Sequence, residues 1–316
     1  MIVKADRAAI AEAGRIVRAG GLVAFPTETV YGLGADATQG EAVARIFEAK
    51  GRPRFNPLIV HVHDIESARE LADFDERALA LARRFWPGPL SLVLPLLERP
   101  RHGISELVTA GLDTVAIRVP SHAVARELLA AAGVPIAAPS ANTSGRLSPT
   151  RAGHVEEDLS GAVDMILDGG GSEAGLESTI IAITPRPALL RPGSLPREDI
   201  EAVLGCRLAA PSEGKVQSPG QLLSHYAPRA RLRLEAAGAL PGEALLGFGP
   251  DAPAAALNLS PGGDLREAAA NLFAYLRVLD AKGLSGIAAM PIPSTGLGEA
   301  INDRLRRAAA PKGSKC

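Results

Sequence analysis

Apolar residues first recur at helical spacing: Ile10, Ala13, Ile16 and Val17 share one face of a helix predicted over 8–19. Gly20 and Gly21 stop it, and Leu22-Val23-Ala24-Phe25 reads as a buried strand ending at Pro26. The two periods keep alternating. Helices are predicted over 41–49, 65–72, 76–85, 122–132 and 196–204, and strands over 58–62, 91–95, 114–119, 135–138, 163–167, 178–183 and 188–191. Such alternation predicts a mixed α/β domain over 1–204.

The pattern breaks near Gly205. Residues 205–230 hold Pro211, Gly214, Pro219, Gly220 and Pro228 and read as a linker by composition. It is long for a simple connection, and long loops are often functional. Beyond it, 231–234, 244–248, 254–259 and 286–292 read as strands. Asp264 and Glu267 resemble a capping box ahead of a helix with Leu265, Ala268, Leu272, Leu276 and Leu279 on one face. A last helix is expected over 298–309. Residues 231–316 therefore form a smaller second α/β domain.

Composition narrows the class. Hydrophobic residues make up 47% of the 316, enough for a sizeable core, but aromatics are only 3%, so aliphatic side chains must fill it. The net charge of −1 does not demand a nucleic-acid partner, since phosphate contacts call for a basic surface. Cys206 and Cys316 form no CxxC pair, which argues against a zinc cage or a disulfide framework and suits a reducing cytoplasm. The N-terminus lacks an apolar signal core and no apolar run reaches membrane-spanning length, so no membrane association is expected.

Common catalytic signatures are missing: the chain has no GxxxxGK[ST], GxGxxG after a strand, GxSxG or HExxH. What stands out is polar punctuation after apolar strands, where α/β proteins bind ligands. FPTETVYGLG at 25–34 reads either as a glycine-rich turn with capping hydroxyls or as part of a site. Lys50, Arg52 and Arg54 follow a helix; they are either solvated dipole partners or a polyphosphate grip. Arg118 lies inside an apolar strand, and an unpaired buried charge is costly. It pairs either with a protein carboxylate or with a ligand's. Ser140, Asn142 and Ser148 cluster after another strand, Glu177-Ser178-Thr179 precede one, and Arg191 ends one.

Together these stretches resemble the threonylcarbamoyl-AMP synthases, a family built on the YrdC-type domain. The resemblance runs over 8–204 through FPTETVYGLGADA, KGRPRFNPLIVHV, PGPLSLVL, VAIRVP, PSANTSG, LESTII and LLRPG. Its paired signature is Lys50-x-Arg52 with Ser140-x-Asn142. SPGQLLSHYAP and GLGEAINDRLRRAA resemble the longer, two-domain branch. The implied fold is α/β: a YrdC-like twisted mixed sheet with flanking helices, plus a smaller C-terminal Rossmann-like α/β domain.

The implied reaction joins L-threonine, bicarbonate (or CO2) and ATP into threonylcarbamoyl-AMP and pyrophosphate. The product would pass to a tRNA threonylcarbamoyltransferase complex for threonylcarbamoyladenosine formation. By the resemblance, Lys50, Arg52, Ser140 and Asn142 hold phosphates and the carbamate. Arg52, Asn56, Thr114, Ser140, Ser148 and Arg191 contact ATP, and Tyr226 on the linker closes over it. Thr29, His61, Arg118, Ala138 (through its backbone) and Ser178 form the threonine pocket. Mg2+ is expected on the ATP phosphates, with no dedicated carboxylate cluster for it. The alternative is a non-catalytic RNA-binding protein of the same fold, and a weak direct contact with tRNA stays open. A carbamoyl-adenylate-forming maturation factor would bring extra domains and metal-binding cysteines. Another acyl-adenylate ligase would bring a phosphate loop. This chain has neither.

Overall fold

The computed structural model describes residues 1–98, 103–210, 218–219, 225–253 and 257–311. The chain runs β1 (Ile2–Lys4), α1 (Arg7–Arg18), β2 (Val23–Phe25), β3 (Gly32–Asp36), α2 (Gly40–Lys50), β4 (Ile59–His61), α3 (Ile65–Arg69) and α4 (Glu76–Phe85). It continues through β5 (Leu90–Pro95), α5 (Glu106–Thr109), β6 (Thr114–Arg118), α6 (Ala123–Ala132), β7 (Ile136–Ala137), α7 (Ala152–Leu159), β8 (Met165–Asp168), β9 (Thr179–Ala182), β10 (Ala188–Arg191) and α8 (Arg197–Leu204). After the linker come β11 (Arg231–Arg233), β12 (Glu243–Gly247), β13 (Leu257–Asn258), α9 (Leu265–Asp280), β14 (Gly286–Ala289) and α10 (Leu297–Ala309).

The first ten strands form one mixed sheet in the order β1-β8-β2-β3-β7-β4-β6-β5-β9-β10. The last four form a separate parallel sheet, β11-β14-β12-β13. Side chains alternate faces along a strand, and the large sheet is buried on both. Val23, Phe25, Met165 and Leu167 pack under α1 and α6, whereas their neighbours Ala24 and Ile166 join the opposite core. Helix α1 starts where the Asp6 carboxylate accepts from the Ala9 amide at 2.8 Å. It crosses α6 at Gly14, where a Cβ would sit 2.9 Å from the Ala131 carbonyl carbon.

Several expectations change. Gly32–Asp36, which the sequence left open as a turn, is strand β3, paired with β2 and β7. Glycine is needed there: a Cβ on Gly34 would come within 2.8 Å of both Phe25 and Ile136. Elements β1, α5 and α7 were not expected at all. Strand β14 stops at Ala289 rather than 292. Of the strand expected over 254–259, Leu257–Asn258 is strand and Leu259 is not; residues 254–256 lie outside the described residues, as do 211–217 and 220–224 of the linker. The capping box at α9 does not close. Asp264 caps the helix through the Arg266 amide at 2.7 Å, but Glu267 takes the Ser260 hydroxyl, and Ser260 Oγ accepts from the Asp264 amide at 2.9 Å.

The two sheets share a seam. Val30, Leu147 and Leu176 join the core of α9, α10 and the small sheet. Arg277 on α9 bonds Asp158 and the Leu147 carbonyl, each at 2.6 Å. Gly175 lies against α9 so closely that a Cβ would be 2.5 Å from the Ala269 carbonyl oxygen. No described helix is long and apolar enough to cross a membrane.

Candidate active site

Strand ends of the large sheet surround one cleft of about 540 Å3, its open mouth included. The β2–β3 loop contributes Thr27, Thr29 and Val30; the turn after α2 contributes Arg52; β4 contributes Ile59 and His61. Arg118 ends β6, Ala138 to Ser140 follow β7, Glu177 and Ser178 precede β9, and Arg191 ends β10. Pro219, His225 and Tyr226 reach in from the linker.

Three buried cations mark one half of this site, and each is held by backbone carbonyls. Gly51 takes a left-handed φ of 58°, ending α2 so that the Arg52 amide bonds Phe47 O at 2.9 Å. Arg52 then donates to the Asn56 and Pro57 carbonyls at 3.3 and 2.9 Å. Burial, with Arg191 nearby, brings its pKa down to about 10. Arg191 donates to Ser178 O at 3.1 and 2.8 Å, and burial lowers its pKa too. Lys50 donates to Ser140 O at 2.6 Å and also to Asn142 O. Burial first, then Arg52, holds its ammonium pKa well below the ordinary lysine range. Carbonyls orient a cation without neutralising it, so this wall keeps a positive field in a low-dielectric setting. A polyanion is the natural counter-charge.

Unpartnered polar atoms lie close by. Among the described residues, neither side-chain polar atom of Asn56, nor Asn142 Oδ1, nor His225 Nδ1, has a partner, though all three residues are buried. Buried polar groups left without partners point to a missing ligand or water. Burial, then Arg52 and Lys50, hold His225 neutral.

The other half is built for a small polar ligand. Arg118 donates to Gly88 O at 3.2 Å and to Thr29 Oγ1 at 2.9 Å. Its Nη2 lies 2.7 Å from Glu28 Oε1, although the N–H does not aim along the hydrogen-bond axis. Of the two partners the sequence left open, a protein carboxylate, Glu28, is beside Arg118, which still lies on the cleft wall. Burial alone would raise the Glu28 pKa, but Arg118 more than offsets it and the net shift is down. His61 Nδ1 faces Ile59 O at 3.3 Å. A carbonyl only accepts, so this contact is made with the proton on Nδ1. Burial and Arg118 push the His61 pKa down to about 3. Ser178 Oγ shares a hydrogen bond with Ser91 Oγ at 2.8 Å.

Thr29, Arg52, His61, Arg118, Ala138, Ser140, Ser178, Arg191 and Tyr226 are thus gathered on the cleft wall. Other sequence candidates stand elsewhere. Lys50 and Asn142 lie behind the wall, where Lys50 ties down the 140–142 loop and Asn142 Nδ2 bonds Thr143 O and Arg146 O. Ser148 donates to Glu177 Oε1. Thr114 is at the far end of β6 from Arg118, opposite Pro95. Sequence reasoning singled out Glu177 but gave it no role, and it missed Glu28 as the partner of Arg118, His225 on the wall and Arg304 behind it. For Arg304 there was a signal: it falls on the apolar face of α10, between Ile301, Leu305 and Ala308.

Comparison with known proteins agrees along the whole length. The Sua5–YciO–YrdC family model, described as Telomere recombination, matches residues 15–193. The model described as Threonylcarbamoyl-AMP synthase, C-terminal domain, matches 195–310. The threonylcarbamoyl-AMP synthase of Pyrococcus abyssi is 45% identical over 94% of this chain and 92% of its own. That of Bacillus subtilis is 42% identical over 95% and 92%. The crystal structure of the P. abyssi protein complexed with L-threonine superposes with a TM-score of 0.90 at 42% identity, covering 98% of this chain and 97% of that one. The chain belongs to the threonylcarbamoyl-AMP synthase family.

Proposed function

We propose that this chain is a nucleotidyltransferase that makes threonylcarbamoyl-AMP from ATP, L-threonine and bicarbonate. The observation that carries this reading is one cleft with two unlike halves. Carbonyl-anchored cations suit a triphosphate, and a neutral histidine, hydroxyls and Arg118 suit an amino acid. The threonine-bound relative supports the second half.

The chemistry follows. The threonine amine combines with bicarbonate to give a carbamate and water. A carbamate oxygen attacks the α-phosphorus, the bond to the β-phosphate oxygen breaks, and pyrophosphate leaves with that electron pair. No protein nucleophile is needed; positioning and charge stabilisation do the work. Arg52 and Arg191 would grip phosphates, and Lys50 would hold Ser140 and Asn142 in place for them. Asn56, Thr114, Ser148 and Tyr226 would complete the nucleotide side. Thr29, His61, Ser178 and the Ala138 backbone would surround threonine, with Arg118 taking its carboxylate. Burial and Arg118 keep His61 neutral and too weakly basic to deprotonate the threonine ammonium, so it would act as a hydrogen-bonding wall of the pocket, and the ammonium proton would be lost to solvent before the amine reacts.

Magnesium fits as a companion of ATP. Among the described residues no cluster of three or more His, Cys, Asp or Glu could hold a metal, and Glu28 and Glu177 are committed to Arg118 and Arg304. Bound through phosphates and water, the ion would offset charge on the leaving pyrophosphate. The product, an anhydride prone to hydrolysis, would pass to a tRNA-modifying complex. The cytoplasm, which supplies all three substrates, is the proposed place of work.

The test is pyrophosphate release from ATP. It should require both threonine and bicarbonate. Folded protein that binds ATP yet releases none would overturn the reading and favour the RNA-binding alternative.

A further inference from the structure

Helix α10 places an arginine where its pattern calls for an aliphatic residue. Arg304 is 1% exposed, buried under the cleft wall from the second domain. Its three nitrogens point three ways. Nε bonds Glu177 Oε2 at 2.8 Å, Nη2 bonds Pro192 O at 3.0 Å, and Nη1 bonds Asp303 at 2.7 Å. The guanidinium also stacks on Tyr226, 4.9 Å from the ring centroid, and Phe273 packs near that ring's centroid at 5.6 Å. Asp303 is a neighbour on α10, but Glu177, Pro192 and Tyr226 belong to the nucleotide half. Glu177 lines the cleft and takes the Ser148 hydroxyl on its other oxygen. Pro192 follows Arg191 directly, and Tyr226 lines the cleft with a strained φ of 60°.

We propose that Arg304 is a positioning residue for ATP, by which the C-terminal domain sets the nucleotide half of the site. This deepens the proposed function and rests on it. Arg304 does two jobs. It occupies the Glu177 carboxylate, which would otherwise be a buried anion with Arg191 as its available cation. It also stacks Tyr226 into the wall. Without Arg304, Glu177 captures Arg191 and takes it from the phosphates, while Tyr226 loses the surface that holds it inward. The threonine half is built around Arg118, Thr29 and His61, and only Ser178, held by Arg191, links it to this network, so the effect falls chiefly on ATP.

The experiment uses the full chain and three variants: Arg304→Met, Arg304→Lys and Arg304→Met with Glu177→Gln. Dissociation constants for ATP and for threonine are measured by calorimetry, and KM for each by pyrophosphate release. In Arg304→Met the ATP constant should rise about 30-fold or more, the scale for stranding one partner of a buried pair, while the threonine constant changes far less. Gln at 177 still accepts from Ser148 but carries no charge to draw Arg191 away. The double variant should therefore bind ATP better than Arg304→Met alone. Lysine should rescue poorly, because one ammonium cannot serve Glu177, Pro192 and the Tyr226 face together. A merely structural role would weaken both ligands alike and gain nothing from Glu177→Gln, and that pattern overturns the proposal. So does wild-type ATP affinity in Arg304→Met. If that variant does not fold, the double variant and Arg304→Lys carry the same comparison. Wild-type protein that binds both ligands but releases no pyrophosphate refutes the proposed function, while the binding constants still decide on Arg304.

Discussion

Replacing Arg118 with methionine tests the threonine half most directly, because two separable costs arise from one side chain. The Arg118 side chain is 4% exposed and that of Glu28 10%. Methionine fills much of the volume but leaves the Glu28 carboxylate buried, with the Ser121 amide at 3.2 Å as its remaining bond among the described residues. Stranding one partner of a buried ion pair costs about 3–5 kcal/mol of stability. Loss of a charged partner for the ligand carboxylate costs about 2–5 kcal/mol of binding, or roughly 30- to 5,000-fold in the threonine dissociation constant. Adding Glu28→Gln separates the two. The double variant should recover most of the stability, since no charge is stranded, and none of the threonine affinity. Urea unfolding and threonine calorimetry read them independently. Wild-type threonine affinity in Arg118→Met refutes the carboxylate role. Equal destabilisation of single and double variants refutes the buried-charge argument.

Two other outcomes can be checked. His61 and His225 are neutral in the folded protein, with pKa values pushed below the usual 6.5 by burial, His61 to about 3. Below pH 6.5 the unfolded chain takes up protons that the folded one refuses. Stability should hold level just above that pH and fall as pH drops from 6.5 toward 3, by about 1.4 kcal/mol per unit for each histidine; urea midpoints that do not move between pH 7 and pH 5 would contradict this. Gly193→Ala should destabilise by about 1–3 kcal/mol and weaken ATP binding. A Cβ there would lie 2.4 Å from Glu177 O and 2.5 Å from Thr179 N, so the segment leading into β9 that carries Glu177 and Ser178 must shift. Unchanged stability and ATP affinity would show that the loop yields freely.

Much of the fold was legible because its strands are short apolar runs bounded by proline, glycine or charge, as at Ile59–His61 and Thr179–Ala182. Strand β3 was hidden by Gly32 and Gly34, present because Phe25 and Ile136 fill the space a side chain would need. Helix α7 has only Ala152, Val155 and Leu159 buried and no side-chain cap, so neither periodicity nor a start signal announced it. At the site, candidates could be found wherever polar residues follow a strand. Their partners could not. Glu177 and Arg304 are 127 residues apart, and only folding brings them together. Arg118 showed an anomaly in its strand, but nothing local named Glu28 as the answer. Lys50 shows a further limit: its neighbours in sequence identify a cation-rich turn, but not that the side chain bends back onto the Ser140 and Asn142 carbonyls.

The carbonyl-anchored cations reach beyond this one reaction. Arg52 and Arg191 are held by carbonyls, and the nearby Glu177 carboxylate is taken up by Arg304, so their field persists between turnovers. Any small oxyanion can borrow it. Inorganic phosphate and sulfate should therefore compete with ATP and leave threonine undisturbed. A standing phosphate pool would then share this cleft, and the working affinity for ATP would depend on phosphate as well as on ATP itself.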